Sequence, residues 1–238
     1  GAQMPTFIHL PLLCNSEGKK MSKRDFGFSL ADIQQDGIVP EALAHYLLTI
    51  GSTTIGGTMS RDELIAQPLE KRLQHTGQIT YDLDALHALN RSYIHEMPAN
   101  ALCEHVAEYE RMTAQEATAV SIELIGLLQK EVNNLAQLRD LVIRISQMPV
   151  RKRDELIAHC GDEATMMRVL EKAREVFAAG DAVAALNELK SWTKAEGIGM
   201  KVVLGSVRYA VTGLFAGIGM GTLVAAVPRD EIVQRLTF

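Results

Sequence analysis

A basic loop near the start of the chain holds the residues best suited to chemistry. Segment 18–25 begins with a glycine and combines the hydroxyl group of Ser22 with four cationic side chains, Lys19, Lys20, Lys23 and Arg24. Lysine provides compact, mobile positive charge, and a flexible loop can close on the phosphates of a nucleotide as their negative charge redistributes. The same charges also suit a solvated basic turn. The order of the residues has to decide between these two interpretations.

A second basic cluster follows Pro149. Its members Arg151, Lys152 and Arg153 are consecutive. Such a cluster can contact the phosphate backbone of RNA, which holds the nucleic acid in register without recognising its sequence. A solvated loop explains the same residues equally well. We therefore predict an RNA contact at these three positions and keep the solvated loop as the alternative.

Two weaker patterns are discounted. Gly217 to Gly221 has the glycine spacing of a dinucleotide-binding loop, but it follows a predicted helix, whereas that motif needs a preceding strand. Cys103 with His105, and His159 with Cys160, lack the spacing of a paired zinc-binding arrangement. We therefore predict no metal site.

The elements that must position these residues are predicted to be mainly helical. Apolar residues recur at three- and four-residue intervals, and capping residues, prolines or glycines mark the ends. The predicted helices cover 40–50, a segment after Ser60, 82–97, 113–128, 134–145, 163–179 and a segment after Asp181. Ser60 is followed three positions later by Glu63, which predicts a reciprocal cap at the start of the second of these helices. Residues 5–13 form a short extended segment, for which the sequence shows no partner strand, and no convincing strand follows Pro98.

Composition limits the classes of partner. Hydrophobic residues make up 47% of the chain, which predicts a globular protein, and the net charge of -5 gives no overall attraction to nucleic acid. RNA binding would therefore depend on local basic faces. Three widely separated cysteines predict free thiols and a reducing, cytoplasmic location. No signal peptide is recognised, and glycines interrupt the uncharged stretch 209–227, which argues against a membrane helix.

The order of residues in the basic loop resembles a known signature. Lys20-Met21-Ser22-Lys23-Arg24 is similar to the KMSKS motif of class I aminoacyl-tRNA synthetases, in the form found in the glutamyl and glutaminyl subgroup. Segments 9–13, 37–43, 82–94 and 207–213 resemble the glutamyl family in order and approximate spacing. The glutaminyl relatives end in β-barrels, whereas residues 100–238 are predicted to be helical. The chain is therefore identified as resembling the C-terminal portion of a bacterial-type glutamyl-tRNA synthetase.

This resemblance implies a mainly α protein with three parts. Residues 1–31 would be a short remnant of the class I catalytic domain, with a strand and the KMSKR loop. Residues 32–98 would form a helical stem-contact module, and residues 99–238 an all-α anticodon-binding domain. The HIGH motif and the nucleotide-binding domain of the family are not found in the chain, so this polypeptide alone is expected to be inactive.

The resemblance also implies roles for particular residues. Lys23 would contact ATP phosphates, with Lys20 and Ser22 helping the loop to settle over the nucleotide, and no residue is assigned a catalytic role. On the anticodon side, the implied tRNA-binding residues are Arg208, Thr212, Gly213 and Glu131. Many family members carry arginine where this chain has Glu131. That departure implies relaxed or altered choice between glutamate and glutamine tRNAs.

The implied parent enzyme is a glutamate–tRNA ligase of protein biosynthesis. It would use ATP and Mg²⁺, and it would hold ATP and glutamate through a domain missing from this chain, which by itself would hold no cofactor. Its macromolecular partner would be tRNA, for glutamate and possibly glutamine, and it would be a cytoplasmic monomer. The main alternative is a stand-alone RNA-binding or regulatory paralogue. An all-helical protein-interaction domain would leave the order of residues 20–25 unexplained.

Overall fold

The computed structural model describes residues 4, 7, 12–21, 29–50, 57–67, 77–112 and 121–238. In these ranges the chain is mainly helical, which confirms the mainly α part of the predicted fold class; the catalytic-domain remnant with the KMSKR loop stays a prediction. The chain divides into two compact units: the first comprises residues 1–115 and 132–137, and the second comprises 116–131 and 138–238. The first unit thus includes helix α5 (Ala99–Met112). The three-part division at residues 31 and 98 stays a prediction.

The described part of the first unit combines helices with one pair of two-residue strands. Its other helices are α1 (Leu30–Gln35), α2 (Pro40–Thr49), α3 (Arg61–Ile65) and α4 (Leu83–Glu96). Ser60 and Glu63 form the reciprocal cap that was predicted before α3. Strand β1 (Leu13–Cys14) pairs in parallel with β2 (Ile79–Thr80). The end of the extended segment, at Leu13, therefore has a partner within this chain, which the sequence did not indicate because β2 is only two residues long.

A buried amide organises the core of the first unit. Asn90 of α4 is fully buried, and its Oδ1 atom accepts a hydrogen bond of 2.9 Å from the backbone N–H of Val39. Its Nδ2 group donates to the carbonyl oxygens of Asn133 at 2.9 Å and Gly37 at 3.4 Å. Gly37 has a φ of +74°, and a Cβ atom there would lie 2.5 Å from the backbone nitrogen of Ala136. Segment 132–137 is held against α4 by these contacts.

The second unit is all-helical in the part of the chain that is described. Its elements are α6 (Ile122–Leu128), a 3₁₀ turn (Gln129–Glu131), α7 (Leu135–Ser146, of which 135–137 belong to the first unit), α8 (Arg153–Cys160), α9 (Glu163–Ala179), α10 (Ala182–Glu196), α11 (Met200–Thr212), α12 (Met220–Ala226) and α13 (Arg229–Arg235). The apolar face predicted for 163–179 is buried. None of the described helices combines the length and the apolar character needed to cross a membrane.

An ion pair between α2 and α5 makes the stability of the first unit depend on pH. His105 Nε2 lies 3.4 Å from Glu41 Oε2, and both side chains are partly buried. Hydrogen bonding to Glu41 raises the pKa of His105 above its usual 6.5, although burial opposes this change. Contact with His105 lowers the pKa of Glu41 below 4.5. The stabilisation from this pair is therefore complete between the ordinary pKa of glutamate, 4.5, and the ordinary pKa of histidine, 6.5.

Each flank of this pH window follows from one partner. The contribution of His105 is lost as the pH rises through its raised pKa, and that of Glu41 is lost as the pH falls through its lowered pKa. We expect the pair to contribute about 1 kcal/mol or less, because both groups are partly hydrated. Glu41→Gln should lower the midpoint of the His105 NMR titration, whereas Glu108→Gln, which removes a weaker electrostatic contribution, should lower it less. An unchanged midpoint in Glu41→Gln would contradict this assignment.

Candidate functional site

A glycine-containing turn joins α11 to α12 in the second unit. This glycine turn, residues 213–219, begins at Gly213, which ends α11 with a φ of +75°. A Cβ atom at Gly213 would lie 2.9 Å from the carbonyl oxygen of Val150, so both its conformation and its surroundings require glycine. Gly217 also has a positive φ, of 115°, and it is exposed together with Ala216. The turn therefore presents backbone with little side-chain cover.

Arg208 supports the glycine turn from within the unit. Its Nε group donates 2.9 Å to the carbonyl oxygen of Ile218, and its Nη1 group donates 2.8 Å to that of Phe215. Burial lowers the pKa of the Arg208 guanidinium, and the nearby charge of Glu131 opposes this effect. Among the described residues the structure shows no hydrogen-bond partner for Nη2, whose N–H groups can still donate.

Thr212 fixes the junction between α11 and the turn. Its hydroxyl group donates 2.8 Å to the carbonyl oxygen of Arg208 and accepts 3.2 Å from the backbone N–H of Leu214. The side chain is fully buried. Arg208, Thr212 and Gly213 thus lie together where α11 meets the turn, and the side-chain hydrogen bonds described for Arg208 are to carbonyl oxygens of the turn. Their predicted contact with tRNA stays a prediction.

Glu131 closes the other end of the turn. Its carboxylate accepts hydrogen bonds from the backbone N–H of Gly219 at 3.0 Å and from the hydroxyl group of Thr222 at 2.5 Å. These donors lie at the start of α12, where a negative charge is favourable. Gly219 is constrained as well, because a Cβ atom there would lie 3.1 Å from Glu131 Oε1. Glu131 therefore lies beside the glycine turn, with one carboxylate oxygen bonded to the turn and the other to α12.

An aromatic stack that the sequence analysis missed also anchors the turn. The ring of Phe215 stacks on Tyr209 with ring centroids 4.1 Å apart and on His159 with centroids 4.3 Å apart. The hydroxyl group of Tyr209 donates 2.7 Å to Glu155 and accepts 2.9 Å from the backbone N–H of Lys152. Two parallel stacks on one ring fix the conformation of the turn, in addition to the bonds from Arg208.

The basic cluster at 151–153 is largely engaged with its own unit. Arg151 donates 3.1 Å to the carbonyl oxygen of Ala210 and lies over the ring of Phe238, 4.5 Å from its centroid. Burial lowers the pKa of Arg151.

The other two members of the cluster are exposed but paired. Lys152 Nζ lies 2.9 Å from Glu155, and Arg153 lies 2.7 Å from Glu163. Surface pairs of this kind exchange partners at little cost, so both cations can still meet a phosphate. Their role in tRNA binding stays a prediction.

The predicted ATP loop is described only at its start. Lys20 is exposed and forms an isolated antiparallel bridge with Cys14 of β1. The preceding turn is closed by a hydrogen bond from the backbone N–H of Gly18 to the carbonyl oxygen of Asn15, at 2.9 Å. Ser22 and Lys23, the other predicted ATP-binding residues, lie outside the described residues.

Comparison with known proteins gives the family context of this geometry. Residues 101–238 match the model of the family described as "Anticodon binding domain". The chain is 25% identical over 239 residues to the glutamate–tRNA ligase of Akkermansia muciniphila, covering 99% of this chain and 54% of that protein. It is 30% identical over 232 residues to the glutamate–tRNA ligase of Trichormus variabilis, covering 90% and 46%.

Solved structures show the same fold. A crystal structure of a glutamate tRNA ligase from Elizabethkingia meningosepticum in complex with its amino acid matches 98% of this chain and 51% of that chain, with a TM-score of 0.70 and 20% identity. The chain spans about half the length of the curated relatives that it matches.

Proposed function

This chain belongs to the anticodon binding domain family, and we propose that it is the C-terminal, tRNA-binding part of a glutamate–tRNA ligase. The parent enzyme activates glutamate with ATP and Mg²⁺ and transfers it to the 3′ end of tRNA in the cytoplasm. In this proposal the described second unit binds the anticodon and the first unit contacts the stem. Lys20, Ser22 and Lys23 belong to the loop that contacts ATP in the assembled active site.

The glycine turn is the observation that supports anticodon binding most directly. Single-stranded bases can be splayed away from their neighbours and bound through their faces and edges. An exposed backbone at Ala216 and Gly217 lets a base approach closely, since no long side chain stands in its way. The Nη2 group of Arg208 can still donate next to this backbone. A rigid turn also loses little conformational entropy when the RNA binds.

Electrostatics set how the chain would bind the rest of the tRNA. The net charge of -5 opposes long-range attraction, so affinity has to come from local contacts to phosphates. Lys152 and Arg153 are exposed and can exchange their carboxylate partners for phosphate groups. Such contacts release counterions from the RNA, which makes binding sensitive to salt.

Filter binding of tRNA to the unsubstituted chain tests this function. We expect the chain to bind a tRNA with a glutamate anticodon, and we expect affinity to fall by about tenfold or more between about 50 mM and about 200 mM salt. An unstructured RNA of the same length and composition is the control, and it should bind more weakly. Affinity that does not respond to salt, or equal affinity for the two RNAs, would count against a tRNA-binding function.

A further inference from the structure

A polar cleft of about 370 Å³ lies between α4 and the start of α7 in the first unit. We call it the amide cleft. Its lining residues are His87, Ala88, Arg91, Asn133, Asn134 and Gln137. Three of them carry side-chain amides, one carries a permanent positive charge, and none is acidic. The ligand that fits is decided by the orientation of these groups.

Hydrogen bonds to the backbone fix the orientation of two amides. Asn134 Oδ1 accepts 2.8 Å from the backbone N–H of Gln137, and Gln137 Oε1 accepts 2.9 Å from the backbone N–H of Asn133. A backbone N–H can only donate, so the oxygen of each amide must face the chain. Each amide therefore keeps its NH₂ group, a donor, for a ligand.

The charged groups around the amide cleft favour an anion. Arg91 is exposed and makes no ion pair with any residue that the structure describes. His87 Nε2 lies 3.4 Å from the carboxylate of Asp36, which among the described residues is the one acidic group in an ion pair with the lining. Asp36 is paired with His87 and not with Arg91. The Arg91 guanidinium and the NH₂ groups of Asn134 and Gln137 therefore remain as hydrogen-bond donors for a ligand.

We propose that the amide cleft binds a phosphate group of an RNA backbone. A base edge combines donors and acceptors, whereas a phosphate offers acceptors alone, and the lining supplies donors and a guanidinium. Arginine suits phosphate because its planar fork can donate two parallel hydrogen bonds. This inference rests on the proposed tRNA-binding function and adds a phosphate site in the first unit.

The double substitution Asn134→Asp and Gln137→Glu tests the inference with little change in shape. Each new carboxylate keeps the oxygen that accepts from the backbone, and both residue types suit the start of a helix. The outward NH₂ donors become anionic acceptors, so a phosphate is repelled. We expect tRNA affinity to fall about tenfold or more and the slope of log affinity against log salt to decrease by about one.

The matched control introduces the same two changes elsewhere. Asn187→Asp with Gln234→Glu adds two negative charges at exposed positions of α10 and α13, and its affinity should stay within about twofold of the original. Arg91→Gln should lower affinity in the same direction as the cleft double variant, which keeps the test valid if that variant unfolds. Equal losses in the two double variants, or no loss in the cleft variants, overturn the assignment. Binding by the unsubstituted chain tests the proposed function separately.

Discussion

Replacing Arg235 with alanine should lower the free energy of unfolding of the second unit by about 3–5 kcal/mol. Arg235 is fully buried, and its guanidinium donates to the carbonyl oxygens of Arg144, Val211 and Ile145 at 2.9, 2.7 and 2.6 Å. It also forms an ion pair with Glu231, one turn earlier in α13. Alanine would leave three carbonyl groups without this donor and a cavity in place of a large side chain.

Urea denaturation followed by the fluorescence of Trp192 measures this loss. Trp192 is the only tryptophan of the chain, and it lies in α10 of the second unit. The matched control is Arg229→Ala in the same helix, because Arg229 is exposed and its described ion pair is with Asp230 at 3.3 Å. We expect this control to change stability by about 0.5 kcal/mol or less. Similar losses in the two variants would show that the buried hydrogen bonds of Arg235 contribute little.

The effect of Arg235 extends to the glycine turn. Val211 precedes Thr212 in α11, and Arg144 donates 3.2 Å to the carbonyl oxygen of Thr212 through its Nη1 group. The ends of α7, α11 and α13 are therefore joined by arginines that bind carbonyl oxygens. This arrangement satisfies helix-end carbonyls that would otherwise be buried without partners.

Local signals were sufficient to predict many helices. The reciprocal cap of Ser60 and Glu63 lies within four residues, and it was predicted from the sequence. Helix α9 spans Glu163–Ala179 as predicted, and Met166 and Phe177 are buried on its predicted apolar face. Signals of this kind lie within one helix, so a single sequence reveals them.

The contacts that shape the candidate site could not be predicted in this way. Glu131 and Gly219 are 88 positions apart, and Lys152 and Tyr209 are 57 apart. Periodicity shows which face of a helix is buried, but it does not show which residue lies against it. The sequence therefore marks Arg151 as a cation without revealing that its guanidinium lies over the ring of Phe238.

Two different roles could explain the glutamate at position 131: choice of tRNA and support of the glycine turn. The resemblance placed Glu131 where many family members carry arginine, and this departure implied relaxed or altered choice between glutamate and glutamine tRNAs. In the structure both carboxylate oxygens accept from donors of the second unit, Gly219 N–H and the Thr222 hydroxyl group. Its negative charge still lies next to the glycine turn and repels phosphate. A substitution at this position therefore has to separate support of the turn from choice of tRNA.

Glu131→Gln isolates the effect of the negative charge from support of the turn. The amide oxygen of glutamine can still accept from Gly219 or Thr222, while the negative charge is removed. We expect this variant to bind glutamate and glutamine tRNAs slightly more tightly, and by a similar factor. Glu131→Arg removes the acceptor and supplies donors that can reach a base edge.

Glu131→Arg should therefore shift the preference of the chain towards the glutamate tRNA by about tenfold, since a hydrogen-bonded base contact contributes about 1–3 kcal/mol of discrimination. Loss of the bonds to Gly219 and Thr222 should lower the affinity for both tRNAs, so the ratio of affinities is the informative quantity. Competition binding with tRNAs that differ only in the third anticodon base measures this ratio. For the unsubstituted chain we expect a weak preference or an altered one. A strong preference for the glutamate anticodon in the unsubstituted chain, unmoved by Glu131→Arg and Glu131→Gln alike, would restrict Glu131 to holding the turn.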